Sequence, residues 1–237
     1  MRLCLVHGFT QTGASWEPVA TRLRAAGHDV VTPDAPGHGR RAATAAGLWD
    51  GARLLADEVG PAVWVGYSMG GRLALHVALA RPSVVTRLVV VSATAGIRDV
   101  RDRAARRAAD DALAAEIERD GVEAFVDAWL RAPMWATLPP ARSGREHRLA
   151  NTAAGLASSL RLAGTGTQDP LWDRLGAIAV PVLVVTGELD RAYADVGRSL
   201  AAALPDATLV EVAGAGHAVP WERPDAFVDA VDAWLTQ

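Results

Sequence analysis

The sequence contains a single cysteine, Cys4, in 237 residues. One cysteine permits no internal disulfide, so a reducing compartment is expected. Cys4 lies in an apolar run and reads as a small buried hydrophobe. Arginine greatly outnumbers lysine, and the arginines are scattered among acids rather than gathered into a run. With a formal net charge of −3, this excludes the basic footprint of a nucleic-acid binder. No stretch reaches the about 18 apolar residues that a membrane span needs. The N-terminus passes from Met1-Arg2 straight into Leu3-Cys4-Leu5-Val6, a run too short for the apolar centre of a signal peptide, and no cleavage site follows. These absences make a cytoplasmic protein with no membrane insertion the expectation. The histidines lack ligand spacing and there is no cysteine cluster, so no metal site is expected. Internal repeats and low-complexity linkers are absent too.

Half of the residues are hydrophobic, enough for one sizeable core with an insertion. Short apolar runs alternate with helical patterns. Leu3 to Val6, His28 to Thr32, Ala62 to Val65, Arg87 to Ser92, Pro181 to Thr186 and Thr208 to Val212 read as strands. Trp16 to Ala26, with Ser15 as N-cap and Gly27 as stop, Thr44 to Val59, Leu73 to Ala80, Val196 to Leu204 and Pro224 to Leu235 read as helices. That rhythm implies a mostly parallel sheet of about six strands with crossover helices. It breaks after Ser92. Residues 97–165 hold no convincing strand, only helical, charge-rich segments over Arg98 to Arg119, Val122 to Leu130 and Arg145 to Leu162. The expected organisation is therefore a core of residues 1–96 and 166–237, with 97–165 inserted as a helical cap over one end of the sheet.

Val63-Trp-Val-Gly-Tyr-Ser-Met-Gly-Gly-Arg72 carries Gly-x-Ser-x-Gly between an apolar run and a helix. This is the nucleophile-elbow pattern, a strained strand-to-helix turn with Ser68 at its apex. A Cβ at Gly66 or Gly70 would clash with neighbouring elements. Its glycines match neither a dinucleotide nor a phosphate-loop fingerprint. Ligands of open α/β sheets bind at the C-terminal ends of the strands. Ser68 follows one such strand, Asp190 another, in Gly-Glu-Leu-Asp, and His217 a third, in Gly-x-Gly-His. An imidazole that exchanges a proton with serine, and a carboxylate that fixes its tautomer, form a triad. The oxyanion donors expected beside it are the N–H groups of Met69 and Phe9, with His7 bracing the Phe9 loop.

His-Gly-Phe, Asp34-x-Pro-Gly-His-Gly, Gly-Tyr-Ser-Met-Gly-Gly, Gly-Glu-Leu-Asp and Gly-His together resemble the α/β-hydrolase superfamily along nearly the whole chain. Gly-Tyr-Ser-Met-Gly-Gly-Arg, the run Asn151 to Arg161, Gly164-Thr-Gly-Thr-Gln168 and Leu171-Trp172 resemble more narrowly the SHCHC synthases of menaquinone biosynthesis. That family eliminates pyruvate from an enolpyruvyl cyclohexene and leaves 2-succinyl-6-hydroxy-2,4-cyclohexadiene-1-carboxylate. The resemblance implies a lyase without a cofactor, with Ser68, Asp190 and His217 as triad and Phe9 and Met69 as oxyanion donors. It also implies substrate contacts at Tyr67, Arg72, Arg106, Trp129 and Arg148, with Arg103 or Arg107 as alternatives to Arg106. Many relatives carry a hairpin ahead of the first strand, which is not expected here.

A substrate with three carboxylates calls for guanidinium forks, which grip carboxylates in a bidentate way. On this reading the partner is a small polycarboxylate and the protein a monomer, with a dimer open. The competing reading is a serine hydrolase, an esterase or C–C bond hydrolase, with Ser68 as nucleophile. A non-catalytic binder would call for a broken triad.

Overall fold

The computed structural model describes residues 1–237. The apolar runs form β1 (Arg2–Val6), β2 (Asp29–Val31), β3 (Ala62–Tyr67), β4 (Val85–Val91), β5 (Val182–Gly187) and β6 (Ala207–Val212). They build one 6-stranded sheet in the order β2-β1-β3-β4-β5-β6. Every neighbouring pair is parallel. The connections run through α1 (Glu17–Ala25), α2 (Leu48–Val59), α3 (Met69–Ala80), α4 (Val100–Trp129), α5 (Arg145–Leu149), α6 (Ala153–Ala163), α7 (Arg191–Ala203), α8 (Val219–Glu222) and α9 (Pro224–Leu235).

The central strands are covered on both faces, which is why they read as unbroken apolar runs. Leu3, Leu5, Val63, Val65, Val89 and Val91 share a core cluster with Val19 and Leu23 of α1 and Phe227 and Val231 of α9. Cys4, Val6, Trp64, Leu88 and Val90 share the other with Leu55 of α2, Leu73 and Val77 of α3 and Leu200 of α7. Each buried leucine or valine contributes roughly 1.5–3 kcal/mol. Cys4 is fully buried and unpaired, and burial raises its thiol pKa far above the ordinary range.

The strand order places the site. The chain leaves β1 for β2 on one side, then crosses back to β3 on the other. Crevices open at such reversals, at the C-terminal strand ends. The residues after β1 and β3 are His7-Gly8-Phe9 and Ser68.

Between β4 and β5 the chain contains α4, α5 and α6 and no strand. α4 and α6 pack through Ala114, Ile117, Phe125, Leu156, Ala157 and Leu160, a small core of their own. Phe9 packs against both this cluster and the main one.

Boundaries differ from the sequence pattern where side chains take the backbone bonds. α1 begins at Glu17, because Gly13–Trp16 form a 3-10 turn in which Ser15 Oγ accepts the Thr12 N–H. α2 begins at Leu48, with Gly47 extended before it. α4 breaks at Gly121, whose φ of 82° is outside helical space. The segment read as one helix over Arg145 to Leu162 is two, since Thr152 caps α6 by accepting the Gly155 N–H at 3.1 Å. α7 starts five residues before Val196 because Asp190 caps it. The single turn α8 carried no periodic signal.

Candidate active site

β3 ends at Tyr67, and α3 starts two residues later at Met69. The turn between them forces Ser68 to φ 52°, ψ −110°, a conformation side chains rarely adopt. Strain of this kind persists only where the surroundings over-determine it. Here they do: a Cβ on Gly66 would stand 2.2 Å from Gly70 O, and one on Gly70 would stand 2.1 Å from Val6 O. The elbow is wedged between β1 and its own helix.

Ser68, Asp190 and His217 meet across the strand ends. His217 Nδ1 bonds Asp190 Oδ2 at 2.7 Å, and its Nε2 lies 3.2 Å from Ser68 Oγ. With the Nδ1 proton on the carboxylate side, Nε2 is free to accept the serine proton. Asp190 Oδ1 accepts the Tyr193 N–H at 3.4 Å, so α7 orients the carboxylate. Tyr193 and Trp135 meet the imidazole edge to face at 4.6 and 5.9 Å.

The backbone N–H groups of Phe9 and Met69 donate to no protein acceptor. Both residues line the cavity that contains Ser68. The loop that presents Phe9 is braced by two histidines. His7 Nε2 accepts the Ala35 N–H at 2.9 Å, and its Nδ1 donates to Gly8 O at 2.8 Å. His38 Nε2 accepts the Thr10 N–H at 3.3 Å, while its Nδ1 donates to Pro36 O at 3.0 Å. Asp34 adds a third fastening by accepting Gly13 N–H at 2.7 Å and Arg40 N–H at 2.9 Å. Burial opposes its ionisation, yet those N–H bonds hold its carboxyl below the usual value. The Asp34-x-Pro-Gly-His-Gly motif is therefore a scaffold for the Phe9 loop.

The cavity above Ser68 has a volume of about 500 Å³. Arg72, Arg106, Asp110, Trp129, Met134 and Tyr193 line it. Arg72 is 7% exposed, and its Nη1 donates to Ala163 O at 2.7 Å. Burial lowers its pKa to about 10, so it stays charged at neutral pH. Arg106 is gripped at Nε by Asp110 Oδ1 at 2.8 Å, which leaves its two terminal nitrogens free. Trp129 offers an Nε1–H that is buried and unpartnered.

Two expected substrate contacts are not on the cavity wall. Tyr67 packs its ring 4.8 Å from Trp221 and 5.6 Å from His217, and would lie 2.8 Å from a Cβ on Gly8. Its hydroxyl is buried without a partner. Arg148 is 1% exposed and is spent on the loop after β1. It donates to Ser143 O at 2.9 Å, to Phe9 O at 3.4 Å and to Thr10 Oγ1, with its guanidinium 5.3 Å from the Trp135 ring. Asn151 joins it through Nδ2 to Thr10 O at 2.6 Å. The structure thus brings Arg148 to the Phe9 loop, not to the open cavity. The alternatives Arg103 and Arg107 do not line the cavity either.

A model of the alpha/beta hydrolase family matches residues 5–230. The chain belongs to that family. It is 35% identical to a Bacillus subtilis (strain 168) protein provisionally named 2-succinyl-6-hydroxy-2,4-cyclohexadiene-1-carboxylate synthase, over 99% of this chain and 89% of that one. A Salmonella paratyphi C (strain RKS4594) protein with the same name, unqualified, is 27% identical over 97% of this chain and 91% of its own. Among solved structures, MenH from S. aureus superposes with a TM-score of 0.92 at 28% identity, covering 100% of this chain and 93% of that one.

Two cavity residues of this alpha/beta hydrolase carried no motif. Tyr193 lies three residues after Asp190, one helical turn into α7, and its hydroxyl makes no protein hydrogen bond. Asp110 is buried, bonds Arg106 and accepts the Gly166 N–H at 3.1 Å. The rule that ligands gather at strand ends would have found the first. The second depends on how α4 crosses the 164–168 loop, which no spacing reveals. No group of three or more His, Cys, Asp or Glu side chains stands together in a metal-binding arrangement, and no helix is long and apolar enough to cross a membrane.

The buried histidines give the family member an acid-sensitive fold. Burial lowers His7 and His76 to about 4, and burial together with His7 lowers His38 to about 3. Unfolded, each would take a proton near its ordinary value of about 6.5. Between those limits the unfolded chain binds more protons, so stability is full above about pH 6.5 and falls as pH drops toward 4. The expected slope is roughly 1.4 kcal/mol per pH unit for each histidine. Urea midpoints measured from pH 7.5 to 4.5 check it; a flat profile would contradict neutral burial.

Proposed function

We propose that this alpha/beta hydrolase is a lyase that eliminates pyruvate from 2-succinyl-5-enolpyruvyl-6-hydroxy-3-cyclohexene-1-carboxylate, giving SHCHC in menaquinone biosynthesis. The observation that carries the reading is the pair of arginines in the Ser68 cavity. The chain has no lysine, so every fixed side-chain cation there is a guanidinium. Arg72 sits one helical turn after Ser68, on the same helix, and Arg106 projects from α4 with two terminal nitrogens uncommitted. An ester pocket has no use for the buried, ion-pair-free charge of Arg72, which is costly unless a counter-ion arrives. A tricarboxylate supplies it. The names of the relatives support the same assignment.

In this mechanism Ser68 is the base. Its hydroxyl passes its proton to His217 Nε2, and the Oγ takes the ring proton beside the succinyl carbonyl. The electron pair of that C–H bond moves into the ring, the ring double bond shifts, and the C–O bond to the enolpyruvyl group breaks. The departing enolpyruvate takes up a proton and becomes pyruvate. The N–H groups of Phe9 and Met69 hold the enolate oxygen as charge develops. Asp190 keeps the imidazole oriented and stabilises its cation. No covalent intermediate is needed.

Trp129 contributes a donor rather than chemistry. Trp129→Phe keeps the ring, which lies 5.8 Å from both Phe9 and Phe125, and removes the Nε1–H. It should raise KM by roughly five- to tenfold with kcat little changed. An unchanged KM would remove Trp129 from the binding surface.

The reading is tested by supplying the enolpyruvyl substrate and following pyruvate release. Catalytic release by folded protein is expected. The alternative, a serine hydrolase, would show burst hydrolysis of p-nitrophenyl esters and leave the enolpyruvyl substrate intact.

A further inference from the structure

His217 sits in a loop with no helix or strand of its own, between β6 and α8. Such a loop would let the imidazole wander, yet it is held to 3.2 Å from Ser68 Oγ. What holds the loop is Glu222. Its side chain curls back from the end of α8. Oε2 accepts the Gly216 N–H at 2.6 Å, and Oε1 accepts the Ala218 N–H at 2.9 Å. The backbone N–H groups of the two residues on either side of His217 are therefore fastened to one carboxyl group.

Two further features mark this as a built support. Glu222 is 1% exposed and forms no ion pair, so its burial is compensated by those two N–H groups and not by a cation. The loop also has no room to move. A Cβ on Gly216 would lie 2.1 Å from Thr137 Oγ1 and 3.2 Å from both Glu222 oxygens. The segment after α4 presses on the loop from one side, and Glu222 holds it from the other. Arg142, from that same segment, donates to the carbonyls of Trp221 and Glu222 at 3.3 and 3.4 Å. The chain that roofs the cavity thus also clamps the turn carrying Glu222.

We infer that Glu222 is a positioning residue for His217, setting the imidazole's distance to Ser68 through the backbone on both sides of it. Its side chain touches neither Ser68 nor the cavity wall. The role is independent of which reaction the site performs, since it concerns only the Ser68–His217 proton transfer. Charge-neutral glutamine has the same shape but one acceptor oxygen. Its NH2 would face one of the two N–H groups, donor against donor, and one side of the loop would be released.

The test is Glu222→Gln, read by the rate at which a fluorophosphonate labels Ser68. Labelling is expected to slow on the order of tenfold to a hundredfold, the effect of a small displacement of a reacting group. The downfield proton resonance of His217 Nδ1–H should broaden or shift. Pyruvate release should lose the same factor in kcat with KM unchanged. If Glu222→Gln does not fold, Glu222→Asp replaces it; the shorter side chain reaches only one N–H, so a smaller slowing is expected. Unchanged labelling and an unchanged proton resonance in a folded variant would overturn the inference, as would a loss confined to melting temperature. Slowed labelling without pyruvate release in the wild type would sustain Glu222 and refute the lyase reading instead.

Discussion

Ser68→Ala is expected to lower pyruvate release on the order of thousands-fold, with the fold intact. Removing the serine of a serine–histidine pair removes the group that exchanges the proton, and what remains is binding and the oxyanion hole. The size of the loss follows from geometry. His217 Nε2 bonds Ser68 Oγ and no other group, and it is the alkoxide-forming oxygen, not the imidazole, that faces the cavity. The fold should survive for equally concrete reasons. Ser68 keeps its Cβ in alanine, so the φ of 52° costs no more than before. Its backbone bonds, Ser68 N–H to Val91 O at 2.8 Å and Arg72 N–H to Ser68 O at 3.1 Å, need no side chain. Urea unfolding should place the midpoint within error of the wild type. Turnover retained in Ser68→Ala would contradict the base role outright.

Arg72→Ala is the second large expectation. The guanidinium is buried one turn from Ser68 and commits Nη1 to Ala163 O. Its other nitrogens make no protein hydrogen bond within normal distance. A bidentate grip on a carboxylate comprises two charge-assisted bonds, each worth roughly 1.5–3 kcal/mol. Loss of both should lower kcat/KM on the order of a hundredfold to ten-thousandfold. KM should rise because a carboxylate loses its counter-ion, and kcat should fall because the substrate is no longer held against Ser68. Arg72→Lys should recover only part, since an ammonium cannot fork. The same substitution also leaves Ala163 O without its donor, so some loss of stability is expected alongside. A change confined to stability would mark Arg72 as structural.

The fold was legible because each layer of this sequence agrees with the next. Leu3 to Val6 and Leu88 to Val91 are apolar without alternation because both faces of the sheet are covered. Gly66 and Gly70 stand where backbone meets backbone. Ser68, Asp190 and His217 each follow a strand, and a parallel sheet brings such ends together. What stayed hidden depends on side chains reaching across the fold. The motif reading put Tyr67 and Arg148 against the substrate. The structure instead packs Tyr67 on Trp221 and binds Arg148 to the Phe9–Thr10 turn. Strand alternation puts Tyr67 on the face of Val63 and Val65, whereas the direction of Arg148 could not be read from spacing. Tyr67 ends β3, where the pleat decides its face, and Arg148 lies 139 residues from its Phe9 partner. The break in the Arg145 to Leu162 segment was hidden for a related reason. Thr152 is a weak signal within a helical pattern until its hydroxyl is seen to take the Gly155 N–H.

The elimination itself is open to one direct measurement. The substrate is prepared with deuterium on the ring carbon that bears the succinyl group, and pyruvate and the ring product are quantified together by mass spectrometry. Removal of that proton by Ser68 requires the deuterium to leave the ring in step with pyruvate, above the exchange seen in enzyme-free buffer. Pyruvate released with the deuterium still on the ring would mean the enol ether had been hydrolysed, and the lyase assignment would fall.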